Sequence, residues 1–425
     1  MAVIIMFILF VVLLLVGCPI YVTIGVSSMA YIALKPALTL SMVVKTMAEG
    51  LNNFTLLSIP FFILAGNIMN ESGMTSRLFR FARSIVGGFH GGLAHVNVLT
   101  SVLFAGMSGS AIADAGGIGS MQISAMEENG FDTEFSIGVT ASSSLIGPII
   151  PPSIPMLVYA VLASSSITAL FAGGVLPGIL MAVALMIEVY IFSKRRNYPR
   201  DVQFSWKRVG TTAIQAIWGI LAPVILLGGI MTGIFTATEG AVIVTIYSLF
   251  VGLFIYRELN GKRLLKIFYD SCETTVTITL ILASSAVFAW ILACEGLPQK
   301  VAESMLSITE NPTLIMLLIT LLMLVVGTFM EAGAAMTILL PVILPVIDAV
   351  GISRVHLGVS IVLTLMIGLL TPPVGLVLFV LAKTRKVSVQ RVIKGTLPFL
   401  VPLVIVAILV AVIPQITLAI PNAIS

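Results

Sequence analysis

Apolar runs long enough to cross a lipid bilayer, with almost no charge inside them, leave this chain very few folds. Ile220 to Leu227 is apolar throughout and Leu314 to Val326 is apolar but for one threonine, and a crossing helix needs about 20 predominantly apolar residues. Within hydrocarbon each backbone amide and carbonyl must be satisfied by the protein itself, so only helices and closed barrels can span. A barrel would alternate apolar and polar positions over short segments, and these runs do not alternate. With 59% hydrophobic and 9% charged residues, against about 25% charged in soluble domains, the chain is expected to be an all-α polytopic membrane protein. A soluble enzyme is excluded.

The runs predict ten spanning helices, at 2–16, 20–34, 54–70, 134–163, 168–192, 213–235, 239–256, 274–293, 356–382 and 396–418. Two further apolar stretches, 93–126 and 312–350, are too long for one crossing and carry glycine and polar residues in the middle. They are expected to be re-entrant hairpins. The amino-terminal run has no basic flank and leads straight into the second span, so it reads as a retained helix and not a cleaved signal. Three scattered cysteines, Cys18, Cys272 and Cys294, imply no disulfide framework.

Eighteen of the 22 basic residues fall in four clusters, at 77–83, 194–208, 257–266 and 383–394. If both hairpins return to their own side, all four clusters lie on one side of the membrane. The positive-inside rule makes that side cytoplasmic and turns both termini outward. The net charge of +4 therefore reports topology and implies no nucleic-acid partner. Segments 74–85 and 259–270 mix apolar and basic positions at helical spacing and read either as interfacial helices or as plain basic loops.

The two halves repeat each other. Leu103 to Gly106 matches Leu324 to Gly327, and Ile146 to Pro152 matches Ile367 to Pro373, both at an offset of 221 residues. Under the topology above the first hairpin enters from inside and the second from outside, so the repeats are inverted. Residues 1–192 form the first repeat, with scaffold helices over 1–70, an interfacial arm over 74–90, a hairpin over 93–126 and a broken helix over 134–163. The polar stretch 193–212 is a cytoplasmic linker, and 213–425 is the second repeat, with its hairpin over 312–350 and its broken helix over 356–382. Inverted repeats of broken helices are an architecture of secondary transporters, with the site near the midplane.

The chemistry should sit at the breaks. Ala105 to Ala111 forms the first hairpin tip and Gly147 to Ser153 the first break; Gly327 to Gly333 and Gly368 to Val374 repeat them. Proline lacks an amide donor and excludes helix before itself, so carbonyls such as those of Gly147 and Ile150 lose their partners. Freed carbonyls and hydroxyls suit a small dehydrated cation, and two pseudo-symmetric cation sites follow. Glu331 matches Ser110 in the other half and either lines the cavity or orders the tip by hydrogen bonding. Asp114, one turn past the first tip, is either a cavity residue or a cap to the returning helix. Ser108, His95 and Asp114 contain the residue types of a hydrolytic triad, but Phe329 stands opposite Ser108 in the second half, so the symmetry favours transport over hydrolysis. No phosphate-binding Gly-x-x-x-x-Gly-Lys sequence is present, which leaves an ion gradient as the driving force.

At Ile59 to Gly66, the Gly-Met-Ser-Gly-Ser tip, the proline run from Gly147 to Pro155 and Thr371-Pro372-Pro373, the chain resembles the large membrane subunit of tripartite ATP-independent periplasmic (TRAP) transporters, over essentially its whole length. The resemblance implies a bacterial or archaeal inner-membrane protein with no cofactor other than Na+ as coupling ion. It implies an elevator mechanism, a small four-helix membrane subunit as partner, and a periplasmic binding protein that delivers an organic acid. It places sodium on Ser108, Gly147, Ile150 and Pro152 in the first half and on Gly327, Gly368, Thr371 and Val374 in the second, mostly through backbone carbonyls. Substrate contact would fall near Ser110 and Glu331. Fused members carry the small subunit ahead of the large one, so a chain that opens on the large subunit's first span is expected to need a separate partner. The substrate could be a C4-dicarboxylate, a sialic acid, or a related sugar or keto acid. A self-sufficient carboxylate carrier and a passive channel are the competing readings.

Overall fold

A computed structural model describes residues 2–35, 38–372 and 374–424, with the side chains of Leu15, Leu40 and Ser108 outside the description. Every element among these residues is helical. Seven helices are long and apolar enough to cross a membrane: Phe54–Glu71, Ile167–Arg195, Trp206–Met231, Ala237–Ile255, Gly261–Cys294, Ala332–Ala349 and Val389–Val412. Five shorter apolar helices, among them Ala2–Leu14, Ile20–Ala33 and Arg354–Gly368, accompany them.

The two long runs with polar centres each divide. The first becomes Gly92–Ser108, Ala111–Gly116 and Ile118–Glu128, and the second becomes Pro312–Gly327 and Ala332–Ala349. The proline-bearing runs divide as well, into Thr133–Ser144 and Ile154–Leu162 and into Arg354–Gly368 and Leu376–Arg385. Side chains cap three of the restarts: Ser110 accepts from the Ala113 amide, Ser153 from Met156, and Glu331 from Gly333 and Ala334. Such caps satisfy amides that the first turn of a helix leaves without partners.

Two features depart from the sequence expectation. Residues 259–270 do not form a separate interfacial helix. From Gly261 the chain runs unbroken to Cys294, with Asn260 as its cap, because nothing in between breaks a helix and the hydroxyls of Thr274, Thr275, Thr277 and Thr279 fold back onto carbonyls four residues earlier. At about 1.5 Å per residue this helix is longer than a bilayer core is thick. Conversely, Leu40–Leu51 and Leu297–Ile308 are amphipathic helices where no element was expected. Leu297–Ile308 follows a left-handed glycine, Gly296, just as Met74–Val86 follows Gly73.

Ion pairs tie the basic clusters to one another. Arg77 pairs with Glu258 at 2.6 Å and stacks on Tyr256, Arg83 pairs with Asp201, Arg196 with Asp132 at 2.8 Å, Arg385 with Glu127, and Arg391 with Glu134 at 2.7 Å. All four clusters and the base of the first hairpin segment therefore share one face. Elsewhere Arg354 pairs with Asp348 and donates to the Ala163 carbonyl. Lys35 and Tyr31 both donate to Glu295, and these hydrogen bonds, that from Lys35 first, hold the Glu295 carboxyl below the usual carboxylate range.

The Asp201 side chain is 4% exposed, and both its oxygens accept from Arg83. Arg83→Ala would strand that carboxylate and is expected to destabilise the protein by about 1–3 kcal/mol. The double variant with Asp201→Ala should lose less than the two single losses added together. Thermal midpoints of the three variants measure the coupling, and strict additivity would refute it.

Candidate functional site

A cavity of about 500 Å³ lies between the broken elements and two continuous helices. Ser110 of the first tip, Glu331 of the second, Pro148 of the first break and Leu369 of the second all line it. The opposite wall is Asn67 and Asn70 of Phe54–Glu71 and Glu273, Thr274 and Thr277 of Gly261–Cys294.

The first tip has a tight backbone. Gly109 takes a left-handed φ of +59°, and a Cβ there would fall 2.7 Å from the Pro152 carbonyl oxygen, so both conformation and contact require glycine. Ser110 opens the returning helix by accepting from the Ala113 amide at 3.4 Å. In the adjacent break Ser153 donates to the Pro148 carbonyl and accepts from the Met156 amide at 3.2 Å. Among the described residues no backbone amide donates to the carbonyls of Gly147 or Ile150. That leaves two oxygen acceptors beside Pro152, a donor set that fits a small dehydrated cation.

The second half has a different construction. Gly327 and Gly368 bring their backbones into contact: a methyl group added at Gly368 would fall 2.4 Å from the Gly327 carbonyl carbon. The Gly368 carbonyl accepts from the Thr371 amide at 2.9 Å, and the Thr371 hydroxyl donates to Ile367 at 2.9 Å. That hydroxyl spends its proton there and keeps its oxygen as an acceptor. Gly375, at a φ of +57°, donates its amide to the Thr328 carbonyl at 3.2 Å, which fastens the break to the tip. Pro373, one of the residues that carries the repeat, lies outside the described residues, as does the side chain of Ser108.

Of the residues singled out in the sequence, Ser110 and Glu331 reach the cavity. Glu331 also caps its helix, with Gly333 and Ala334 amides at 2.8 and 3.3 Å, so one carboxyl both lines the cavity and hydrogen-bonds within the tip. Asp114 does not line the cavity. It is buried behind the first tip, where a small closed pocket gathers Thr100, Ser101, Gln122, Thr140 and Ser144 around it, and its carboxylate lies against Gly147. Gly147, Ile150, Pro152, Gly327, Gly368, Thr371 and Val374 lie at the breaks and tips without lining the cavity. Sequence reasoning missed the opposite wall. Carboxamides at Asn67 and Asn70 near the end of an otherwise apolar span, and the hydroxyl run from Thr274 to Thr279, were the available signals.

The family described as "Tripartite ATP-independent periplasmic transporter, DctM component" matches residues 7–416. The sialic acid TRAP transporter large permease protein SiaM of Vibrio cholerae is 42% identical over 410 residues, covering 96% of each chain. The C4-dicarboxylate TRAP transporter large permease protein DctM of the same organism is 37% identical over 443 residues, covering 99% of this chain and 98% of that one. The sialic acid TRAP transporter permease protein SiaT of Haemophilus influenzae is 37% identical over 411 residues, which are 97% of this chain and 67% of SiaT. Among solved structures, the YdaH transporter of Alcanivorax borkumensis superposes with a TM-score of 0.61 over 95% of this chain and 97% of its own, at 15% identity, a likeness of fold alone.

Proposed function

The chain belongs to the DctM component of the tripartite ATP-independent periplasmic transporters, and we propose that it imports an organic anion across the inner membrane by sodium symport. In this reading a periplasmic binding protein delivers the anion and a small membrane subunit completes the scaffold. The observation that carries the proposal is the cavity bounded by both tips and both breaks, with Ser110 and Glu331 on its wall. Sodium would be held at each break, by the carbonyls of Gly147 and Ile150 in the first half and by Gly327 and the Thr371 hydroxyl in the second, and travels as a co-substrate.

The face that gathers the basic clusters is taken as cytoplasmic. Asn70 and the exposed Glu273 lie on the part of the cavity wall nearer that face, so we read the conformation as inward-open. Hairpin segments and broken helices would move together as an elevator past Phe54–Glu71 and Gly261–Cys294. This movement would carry Ser110 and Glu331 with the substrate while the Asn67 and Glu273 wall stays in place.

Proteoliposomes holding the chain with its small subunit test the reading. Uptake of an organic acid should require both an inward sodium gradient and the binding protein. Uptake with sodium alone would point to a self-sufficient carrier, and gradient-independent leakage to a channel. Thr371→Leu, which removes the hydroxyl, is expected to raise the sodium concentration needed for half-maximal uptake about tenfold or more, in line with one lost oxygen ligand at about 1.4 kcal/mol or above. An unchanged sodium dependence would remove Thr371 from the site.

A further inference from the structure

The linker between the two halves builds a surface away from the cavity. Residues 199–204 lie along residues 87–91 of the first half. The Gly91 amide donates to the Pro199 carbonyl at 3.2 Å, and the Asp201 and Val202 amides both donate to the Gly87 carbonyl, at 3.1 and 3.3 Å. Gly88 allows the close approach, since a Cβ there would fall 3.3 Å from the Val202 carbonyl oxygen and 3.6 Å from the Phe204 nitrogen. The ion pair of Arg83 with Asp201 and the hydrogen bond between Ser84 and Thr212 at 2.8 Å fasten the same seam.

Three aromatic rings stand exposed on this seam. Phe89 is 55% exposed, Phe204 49% and Trp206 79%, and the Phe204 and Trp206 rings meet edge to face at 4.9 Å. The basic side chains that flank them have little acid to neutralise them. Between 194 and 212 the chain carries six basic residues and one acidic residue, Asp201, whose oxygens both accept from Arg83. Arg196 pairs with Asp132, whereas Lys194, Arg195, Arg200, Lys207 and Arg208 form no ion pair among the described residues. Arg200 contacts the His90 ring at 3.0 Å and Arg208 donates to the Gln203 carbonyl at 3.3 Å, which sets one charge next to Phe89 and another next to Phe204.

Ile167–Arg195 and Trp206–Met231 are both long and apolar enough to cross a membrane, and the seam joins the end of one to the start of the other. Trp206 is the first residue of its helix, at the depth where amphipathic aromatic rings settle among lipid headgroups. Basic segments beside a spanning helix attract the anionic lipids of the cytoplasmic leaflet. With this face cytoplasmic, as read above, we propose that Phe89, Phe204 and Trp206 enter the inner leaflet at headgroup level and that Arg200, Lys207 and Arg208 bind the phosphodiester groups of an anionic phospholipid such as phosphatidylglycerol. A zwitterionic headgroup brings its own cation and gains less from these unpaired positive charges. Bound lipid fixes the membrane depth of the seam, where the arm Met74–Val86 ends and the segment Gly92–Ser108 begins.

Quenching of Trp206 by brominated phospholipid tests the site in proteoliposomes holding the chain with its small subunit. The Trp206 signal is the difference between the parent protein and Trp206→Phe. Two preparations contain phosphatidylglycerol and phosphatidylcholine in equal proportion and differ only in which lipid carries bromine near its headgroup. Brominated phosphatidylglycerol is expected to quench about twofold or more as strongly as brominated phosphatidylcholine. Joint substitution of Arg200→Ala, Lys207→Ala and Arg208→Ala should abolish that preference and leave quenching by phosphatidylcholine in place. Equal quenching by the two lipids in the parent protein would overturn the anionic class, and a preference that survives the triple substitution would remove these three side chains from the site. Absence of quenching by either lipid would overturn the membrane contact, the result expected where the small subunit or a cytoplasmic protein covers the rings. Sodium-driven uptake by the same proteoliposomes reads symport separately, so quenching absent with uptake intact counts against the lipid site alone.

Discussion

Gly368→Val is expected to leave little folded protein, and Gly368→Ala to lower the thermal midpoint sharply with loss of transport. The added Cβ would lie 2.4 Å from the Gly327 carbonyl carbon and 2.7 Å from its oxygen. Both partners are backbone, so no side chain can swing aside, and the two helices must separate. Overpacking of a core costs about 1–3 kcal/mol where side chains can adjust, and this contact should lie at or beyond the upper end. Gly210→Ala serves as the comparison, because it lies in the helix Trp206–Met231 with nothing within 4 Å of its added methyl. Exchanging a helical glycine for alanine there should be neutral or stabilising by up to about 1 kcal/mol. Thermal midpoints of the detergent-solubilised protein separate the two cases. Equal stability of Gly368→Ala and the parent protein would refute the close contact.

The broken elements were legible because their residues cannot do anything else. Pro148, Pro151 and Pro152 exclude regular helix before them, and Gly147, Pro151 and Pro152 recur 221 residues later as Gly368, Pro372 and Pro373, so the sequence alone pairs tip with break. The amphipathic helices Leu40–Leu51 and Leu297–Ile308 escaped notice because half their positions are polar, and a search for apolar runs passes over them. Residues 259–270 misled for the opposite cause. Their basic and apolar mixture looks interfacial, yet with no breaker before Cys294 they continue into a membrane helix. The Asn67 and Glu273 wall was invisible for a third reason, since these residues meet the tips only across a cavity and no spacing along the chain encodes that opposition.

Glu331 gives the second large effect, and two substitutions separate its roles. Its carboxylate accepts from the Gly333 and Ala334 amides and faces the cavity beside the first tip's Ser110. Glu331→Gln keeps an oxygen that can cap the helix but removes the charge. Glu331→Ala removes both, and loss of a capping side chain costs about 0.5–2 kcal/mol. If the charge takes part in ion or substrate binding, both variants should lose most uptake, while only the alanine variant loses thermal stability. If Glu331 only orders the tip, the glutamine variant should transport like the parent protein with unchanged substrate affinity. Parallel measurement of sodium-driven uptake and thermal midpoint decides between these, and a glutamine variant with normal rate and affinity would reduce Glu331 to a helix cap. We expect the first outcome. A capping role alone is filled at two other restarts by the neutral oxygens of Ser110 and Ser153, and an ionisable residue at membrane depth is costly to keep without a function.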